Sequence, residues 1–199
     1  MGRIDAFDRI RAALAIPARP SSDYDLNPQS RVQMPPLRAA AVLVPLVAGP
    51  RGLDVVLTKR ASGLRNHPGQ IAFPGGKVDE CDAGVEAAAL REAREEIGLP
   101  PALVVPMGLL PVHETVTGFS VTPVVAQITA PFDPVPQPGE VDEIFHVPLA
   151  HLADPARYRI ERRMWRGQWR NYYTVPWGPY YIWGATARIL RGLADRLAA

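Results

Sequence analysis

Two neighbouring stretches decide how this chain reads: Phe73-Pro74-Gly75-Gly76, and the run from Ala83 to Ile97, AGVEAAALREAREEI, closed by Gly98 and Pro100. The longer run is made of strong helix formers, and a glycine followed by a proline is a C-terminal stop, so a helix is expected over 83–97. Within it Glu92, Glu95 and Glu96 stand at i, i+3 and i+4 and share one helix face. Carboxylates that close repel one another, and the arrangement suits a hard divalent cation, Mg²⁺ or Mn²⁺, bound through oxygen. A glutamate face balanced by Arg91 and Arg94 is by itself ordinary charge patterning. The glycine loop ahead of it changes the weighting, because its residues allow positive φ and close approach of backbone to a ligand or metal.

Outward from this pair, Ala40 to Val47 and Leu53 to Thr58 are β-branched and aliphatic runs separated by Gly-Pro-Arg-Gly, so two paired strands are expected. Further strands are expected at Leu103 to Leu110 and Phe119 to Ile128. A hairpin of Tyr158 to Trp165 with Trp169 to Val175 turns near Gly167. Ile4, Phe7, Ile10, Ala13 and Leu14 lie at helical spacing and predict a short N-terminal helix, stopped by Pro17 and Pro20. Ala18 to Pro36, rich in Pro, Ser, Asn and Asp, is an extended arm lying on the main domain. A closing amphipathic helix is expected from Gly184 to Leu197. Strands interleaved with helices indicate an α/β layered domain.

Gly76, Arg91, Glu92, Glu95, Glu96 and Gly98 resemble the Nudix box, whose family pattern is GX5EX7REUXEEXGU with U aliphatic. REAREEIGL matches the second half, with Ala93 at the first aliphatic position. The first half departs from the pattern: Gly76 and Arg91 are one residue further apart, and counting back from Arg91 lands on Ala83 where a glutamate is expected. Asp82 is the nearest substitute, with Asp79 second, for the acidic residue that in the family braces the loop and helix against the arginine. The resemblance implies a Nudix-type α/β/α sandwich with a mixed sheet over 37–199, carrying the N-terminal helix and arm over 1–36. It also implies coordination of the catalytic Mg²⁺ or Mn²⁺ by Glu92, Glu95 and Glu96, often helped by a carbonyl of the Gly75-Gly76 loop.

Upstream, Val56 to Gly76 reads VLTKRASGLRNHPGQIAFPGG. It resembles the extended signature of the coenzyme A pyrophosphatase subfamily, LLTXR(S/A)X3RX3GX3FPGG, with only Val56 in place of the first leucine. Similarity of the same kind extends to Thr117-Gly118-Phe119, Val121 to Val125, Glu140-Val141, Val147 to Leu149 and Tyr181 to Ala187. The implied reaction is hydrolysis of the diphosphate of coenzyme A to 3′,5′-ADP and 4′-phosphopantetheine. Another Nudix specificity, such as ADP-ribose or a dinucleotide, is the neighbouring reading. A non-catalytic Nudix-fold module that only binds a nucleotide is the rival from a different class.

Arg60 and Arg65 suit bidentate contact with phosphate oxygens, Lys59 and Lys77 add point charge, and His67 is a donor candidate in the same loop. The general base should be a carboxylate within reach of the attacking water: Glu92, or Glu140 or Glu143 from outside the helix. His113, His146 and His151 show no ligand spacing, and Cys81 has no evident catalytic partner. The aromatic set Trp165, Trp169, Tyr172, Tyr173, Trp177, Tyr180, Tyr181 and Trp183 is expected to pack in core and strands.

The chain has 199 residues, 47% of them hydrophobic and 21% charged, as in ordinary globular enzymes. Lys+Arg 22 against Asp+Glu 20 is too balanced for a nucleic-acid-binding surface. One cysteine excludes an intrachain disulfide framework and a cysteine zinc site, and a reducing cytoplasm is the expected home. The longest apolar run, Ala39 to Gly49, is well short of the about 20 residues a membrane helix needs. The expected partner is a small molecule, and the chain is expected as monomer or homodimer. Lys77 is followed by Val78, which excludes a phosphate-loop lysine, and Gly118 to Thr122 lacks the second glycine of a nucleophile elbow.

Overall fold

The structure, a computed structural model, describes residues 3–31, 36–165 and 167–199. In chain order the elements are α1 (Arg3–Ala15), β1 (Ser21–Ser22), β2 (Arg38–Gly49), β3 (Gly52–Arg60), β4 (Ile71–Ala72), β5 (Gly75–Lys77), α2 (Val85–Ile97), β6 (Val104–Leu109), β7 (His113–Glu114), β8 (Phe119–Ile128), β9 (Val141–Pro148), α3 (Leu149–Leu152), β10 (Arg159–Trp165), β11 (Gln168–Thr174) and α4 (Gly184–Leu197). Short 3₁₀ turns stand at Pro28–Ser30, Pro101–Leu103 and Pro155–Arg157. Of the apolar positions expected on the first helix, the Ile4 side chain lies outside the described residues.

The spine of the sheet is β1-β7-β8-β2-β3-β4, with β5 on β2, β6 on β8 and β9 on β3. β2 runs parallel to β8 and antiparallel to β3, so the sheet is mixed. Side chains of its central strands alternate between two cores, as the two-residue period of a strand requires. Ala41, Leu43, Val56, Val124 and Ala126 face α2, which meets them with Ala88, Ala89, Ala93 and Ile97. Val44, Leu46, Val55, Leu57 and Val147 face the other way, toward Phe7 and Ile10 of α1 and Ala187, Leu190 and Leu193 of α4. The result is an α/β/α sandwich. The alanines of α2 bring its backbone close to the sheet and hold the glutamate-bearing helix over β2 and β5.

α2 begins at Val85, two residues later than expected, because Gly84 holds φ 130° and Asp82 is engaged in a turn with Asp79. It ends as expected, at Gly98 in the left-handed region (φ 68°) with its N–H on the Arg94 carbonyl at 3.1 Å.

The arm is more ordered than its composition suggests, although residues 32–35 lie outside the described ones. Ser21 and Ser22 pair in parallel with His113 and Glu114, and Tyr24 and Asn27 are buried. Asn27 carries the join: Nδ2 donates to the carbonyls of Asp23 (3.1 Å) and Asn171 (2.8 Å), and Oδ1 accepts from the Asn171 N–H at 2.7 Å. Replacing Asn27 by alanine should cost about 2 kcal/mol, since buried backbone groups lose their partners, measured as a shift in the denaturant midpoint. At the other end Arg196 donates through Nη1 to the carbonyls of Ala13 (3.0 Å) and Ile16 (2.6 Å), fastening the end of α1 to α4.

The β10–β11 hairpin turns at Gly167 (φ 77°) as expected and forms a separate two-stranded sheet; Tyr173 packs against the main core as expected, together with Trp177 and Tyr180 beyond the hairpin, whereas Trp169 is exposed and corrects that reading for its own ring. The β11 strand packs on α4, while Trp169 in the hairpin is 55% exposed and Tyr181, in the segment before α4, is 42% exposed. Several of these rings instead wall a cavity described below.

Candidate active site

The loop 73–76 is held by the sheet on one side and by α2 on the other. Gly75 and Gly76 pair with Val42 and Ala41 of β2, and the Pro74 carbonyl accepts from the Leu43 N–H. Gly75 has φ 155°, and a Cβ there would lie 2.5 Å from the Ala41 carbonyl oxygen, so no side chain fits. A Cβ on Gly76 would fall 2.4 Å from Oε1 of Glu92. The glycines therefore let a strand edge run directly against the carboxylates of α2.

Glu96 is buried, and its Oε2 accepts the Gly75 N–H at 3.0 Å. Burial pushes its pKa up to about 7, and Glu92 and Glu140 push the same way, against the Gly75 N–H and Arg60. Burial also raises Glu92, opposed by Arg91 and reinforced by Glu95 and Glu140. Glu95 departs from the other two with a side chain 56% exposed. The helical step explains this: relative to Glu92, the i+3 and i+4 positions fall on opposite flanks of the face, one toward water and one toward the sheet.

Arg91 is the hub. It donates through Nε and Nη2 to Asp82 at 3.0 and 2.9 Å, through Nη2 to the Lys77 carbonyl at 3.1 Å, and through Nη1 to Glu92 at 3.0 Å and Glu95 at 3.2 Å. Asp79 stands 3.5 Å away. Asp82 is thus the principal brace and Asp79 the outer one. The guanidinium holds the Asp82 carboxyl below its usual range, and Asp82 first, then Glu92, holds Arg91 firmly protonated.

As placed, and among the described residues, no three His, Cys, Asp or Glu side chains converge closely enough to grip an ion; Arg91 Nη1 instead bridges Glu92 and Glu95. The donor chemistry nevertheless fits a hard divalent cation. Glu92 and Glu96 are withdrawn from water and mutually repelling, and the glycine edge leaves the space beside Glu92 that a side chain on Gly76 would take.

Beside this face opens a cavity of about 1050 Å³. Lys59, Arg60, Arg65, His67, Gly69, Phe73, Gly75 and Glu143 line it, so much of the 57–75 signature shares one space. Lys77 does not line it: its side chain points to solvent and only its carbonyl serves, on Arg91. His67 is exposed with φ 55°, a left-handed conformation rare outside glycine and held by the loop. Glu143 is half-buried, cross-strand from Lys59, and accepts a short hydrogen bond from the Tyr180 hydroxyl, whose own pKa that contact raises. Glu140 lies on the exposed turn before β9, close enough to Glu92 and Glu96 to act on both electrostatically.

Sequence reasoning did not find the rest of the wall. Asp23 and Asn27 come from the arm, Thr115 and Thr117 from the turn before β8, and Arg163, Trp165, Arg170, Tyr172, Tyr181 and Trp183 from the hairpin and the segment before α4. Only Thr117 and the Tyr181–Trp183 segment carried a signal, as parts of the wider resemblance. Ser21, His113 and Asp23 form a chain of hydrogen bonds, but His113 is fully buried and outside the cavity, so it anchors the arm.

A mixed sheet between helices, with an acidic helix face set behind a double glycine and a basic cavity alongside, defines the Nudix class of hydrolase. A profile described as NUDIX domain matches residues 37–166. The protein named "Uncharacterized Nudix hydrolase NudL" from Cronobacter sakazakii is 44% identical over 169 residues, covering 85% of this chain and 88% of that one, and its namesake from Salmonella typhimurium matches equally. Among solved structures, the Nudix hydrolase RenU from M. smegmatis aligns with a TM-score of 0.50 at 27% identity, over 60% of this chain and 76% of that one. A MutT protein from Methanosarcina mazei shares the fold with a TM-score of 0.52 at 19% identity, over 84% and 96%. The chain belongs to the Nudix hydrolase family.

Proposed function

We propose that this protein hydrolyses the diphosphate bond of coenzyme A or a derivative, with Mg²⁺ or Mn²⁺, to 3′,5′-ADP and 4′-phosphopantetheine. The observation that carries the reading is the sharing of one large cavity by Arg60, Arg65, Gly69, Phe73 and Gly75, on a loop whose Gly75 N–H is bonded to Glu96. At about 1050 Å³ the cavity has room for a ligand the size of a dinucleotide or coenzyme A, at the top of the range for small-molecule sites. Family membership supports a nucleoside diphosphate derivative as substrate class.

Glu92, Glu95 and Glu96, with the Gly76 carbonyl, are the groups that would hold the cation. Bound there, it supplies charge neutralisation at the diphosphate and a water acidic enough to attack at neutral pH. Arg60 and Arg65 orient the phosphate oxygens through paired N–H donors, Lys59 adds charge, and His67 stands at the rim. Arg91 positions the glutamates through Asp82. Glu143, in the cavity, and Glu140, facing the glutamate helix, are the base candidates outside α2; Glu143 has one oxygen engaged by Tyr180. The segment 1–36 serves as an accessory to the unit 37–199.

The test is incubation with coenzyme A, acetyl-coenzyme A and ADP-ribose in Mg²⁺ or Mn²⁺, followed by chromatography. Release of 3′,5′-ADP as the leading reaction supports the proposal. Faster turnover of ADP-ribose to AMP moves the protein to another Nudix specificity, and no turnover of any of them favours a nucleotide-binding module.

A further inference from the structure

The inner face of the β10–β11 hairpin carries charge that the diphosphate does not need. Arg163 and Arg170 are directly opposite one another in the antiparallel register, and both line the cavity. Like charges at facing positions repel and weaken a hairpin. Neither arginine forms a salt bridge with an acidic side chain among the described residues; Arg170 is near enough to Asp23 to act on it electrostatically, but that carboxylate is engaged by His113 and the Val116 N–H. Aromatic faces hold them: the Arg163 guanidinium lies 5.0 Å from the Trp183 ring centre, and that of Arg170 lies 5.2 Å from each of Tyr24 and Trp165. Nη2 of Arg170 is buried and has no hydrogen-bond partner among the described residues. The strand is fixed at the next residue, where Asn171 exchanges backbone bonds with the Asn27 side chain.

The cavity therefore has two cationic groups on different supports. Lys59, Arg60 and Arg65 belong to β3 and the loop after it, on the side of Gly75 and the glutamates, while Arg163 and Arg170 belong to a separate sheet tied to the arm. We propose that Arg163 and Arg170 form a second anion site that binds a phosphomonoester of the substrate, apart from the diphosphate that is cut. The paired, ring-stacked guanidiniums are set for a compact dianion that offsets their repulsion and supplies acceptors to the buried N–H groups. This rests on the reading of the cavity as a nucleotide site and adds to it a required feature of the substrate: a phosphate away from the scissile bond, as on the ribose of coenzyme A.

The experiment compares 3′,5′-ADP with 5′-AMP by calorimetric titration without metal, on the wild-type protein, Arg170→Gln and Arg163→Gln. Wild type should bind 3′,5′-ADP tenfold or more tightly than 5′-AMP, on the order of one charge-assisted contact set, and each variant should lose most of that preference. Equal binding of the two nucleotides by wild type, or full preference kept in both variants, overturns the site. Arg163 is exposed, so its variant keeps the test open if Arg170→Gln fails to fold in a thermal melt. Coenzyme A hydrolysis assayed in parallel separates the two claims. Preference without hydrolysis sinks the proposed activity and leaves the anion site, whereas hydrolysis without preference sinks the anion site alone.

Discussion

Glu96→Gln is expected to lower turnover by roughly two orders of magnitude or more while making the metal-free protein more stable at pH 8. The volume and the acceptor for the Gly75 N–H at 3.0 Å are retained, but the charge is not. In the folded chain burial raises this carboxyl from 4.5 to about 7, so between those values the folded state binds a proton that the unfolded state has released. Stability of the metal-free wild type then falls as pH rises from about 4.5 to about 7, by on the order of 3 kcal/mol for such a displacement. The glutamine variant does not titrate and lacks this slope. Thermal melts in chelator should give similar midpoints near pH 4 and a higher midpoint for the variant at pH 8, alongside its loss of activity in Mg²⁺. Near-normal turnover would remove Glu96 from the proposed metal site.

Gly75→Ala is expected to damage folding itself. The new Cβ would sit 2.5 Å from the Ala41 carbonyl oxygen and 2.6 Å from the Val42 Cα, both backbone atoms of a central strand that cannot swing aside, and φ 155° is strained for any side chain. A loss of about 3 kcal/mol or more follows from strain and overpacking together. Gly76→Ala fails differently. Its Cβ meets Glu92 Oε1 at 2.4 Å, and a carboxylate can rotate away. That variant should keep most of its stability and lose most of its activity. Urea unfolding with a turnover assay separates the two; a Gly75→Ala protein as stable as wild type would mean the loop can leave the strand edge.

Local signals made much of this molecule legible. Helix formers with a Gly98 stop located α2, and an aliphatic run interrupted only by Pro45 located β2. The acidic brace for Arg91 was narrowed to Asp82 and Asp79 by the resemblance to the Nudix box, which implies an acidic residue at the position of Ala83 and leaves these as the nearest substitutes. β9 escaped for a physical reason. Val141, Phe145 and Val147 alternate inward, but the inward position between them is Glu143, which faces the cavity and breaks the apolar pattern. A charged residue on a buried face marks a site where local preference yields to function. The arm was legible as an extended segment on the main domain, but its place in the cavity and that of the hairpin arginines were not, because their relation to the loop 57–75 is purely spatial. Asn27 and Asn171 are 144 residues apart, and nothing in either segment announces the other. The three glutamates were expected to converge, yet a 3.6-residue turn sends Glu95 outward while Glu96 goes in.

On the proposed function, the arm's grip on the hairpin becomes part of substrate binding. A chain started at residue 37 would retain both glycines, the glutamate helix and the full family-matched segment, yet would lack Asp23 and Asn27. One side of the cavity would then lie bare and the paired arginines would lose their anchorage. Shortening the protein to residues 37–199 would then keep the proposed cutting site and discard part of the proposed grip on what is cut.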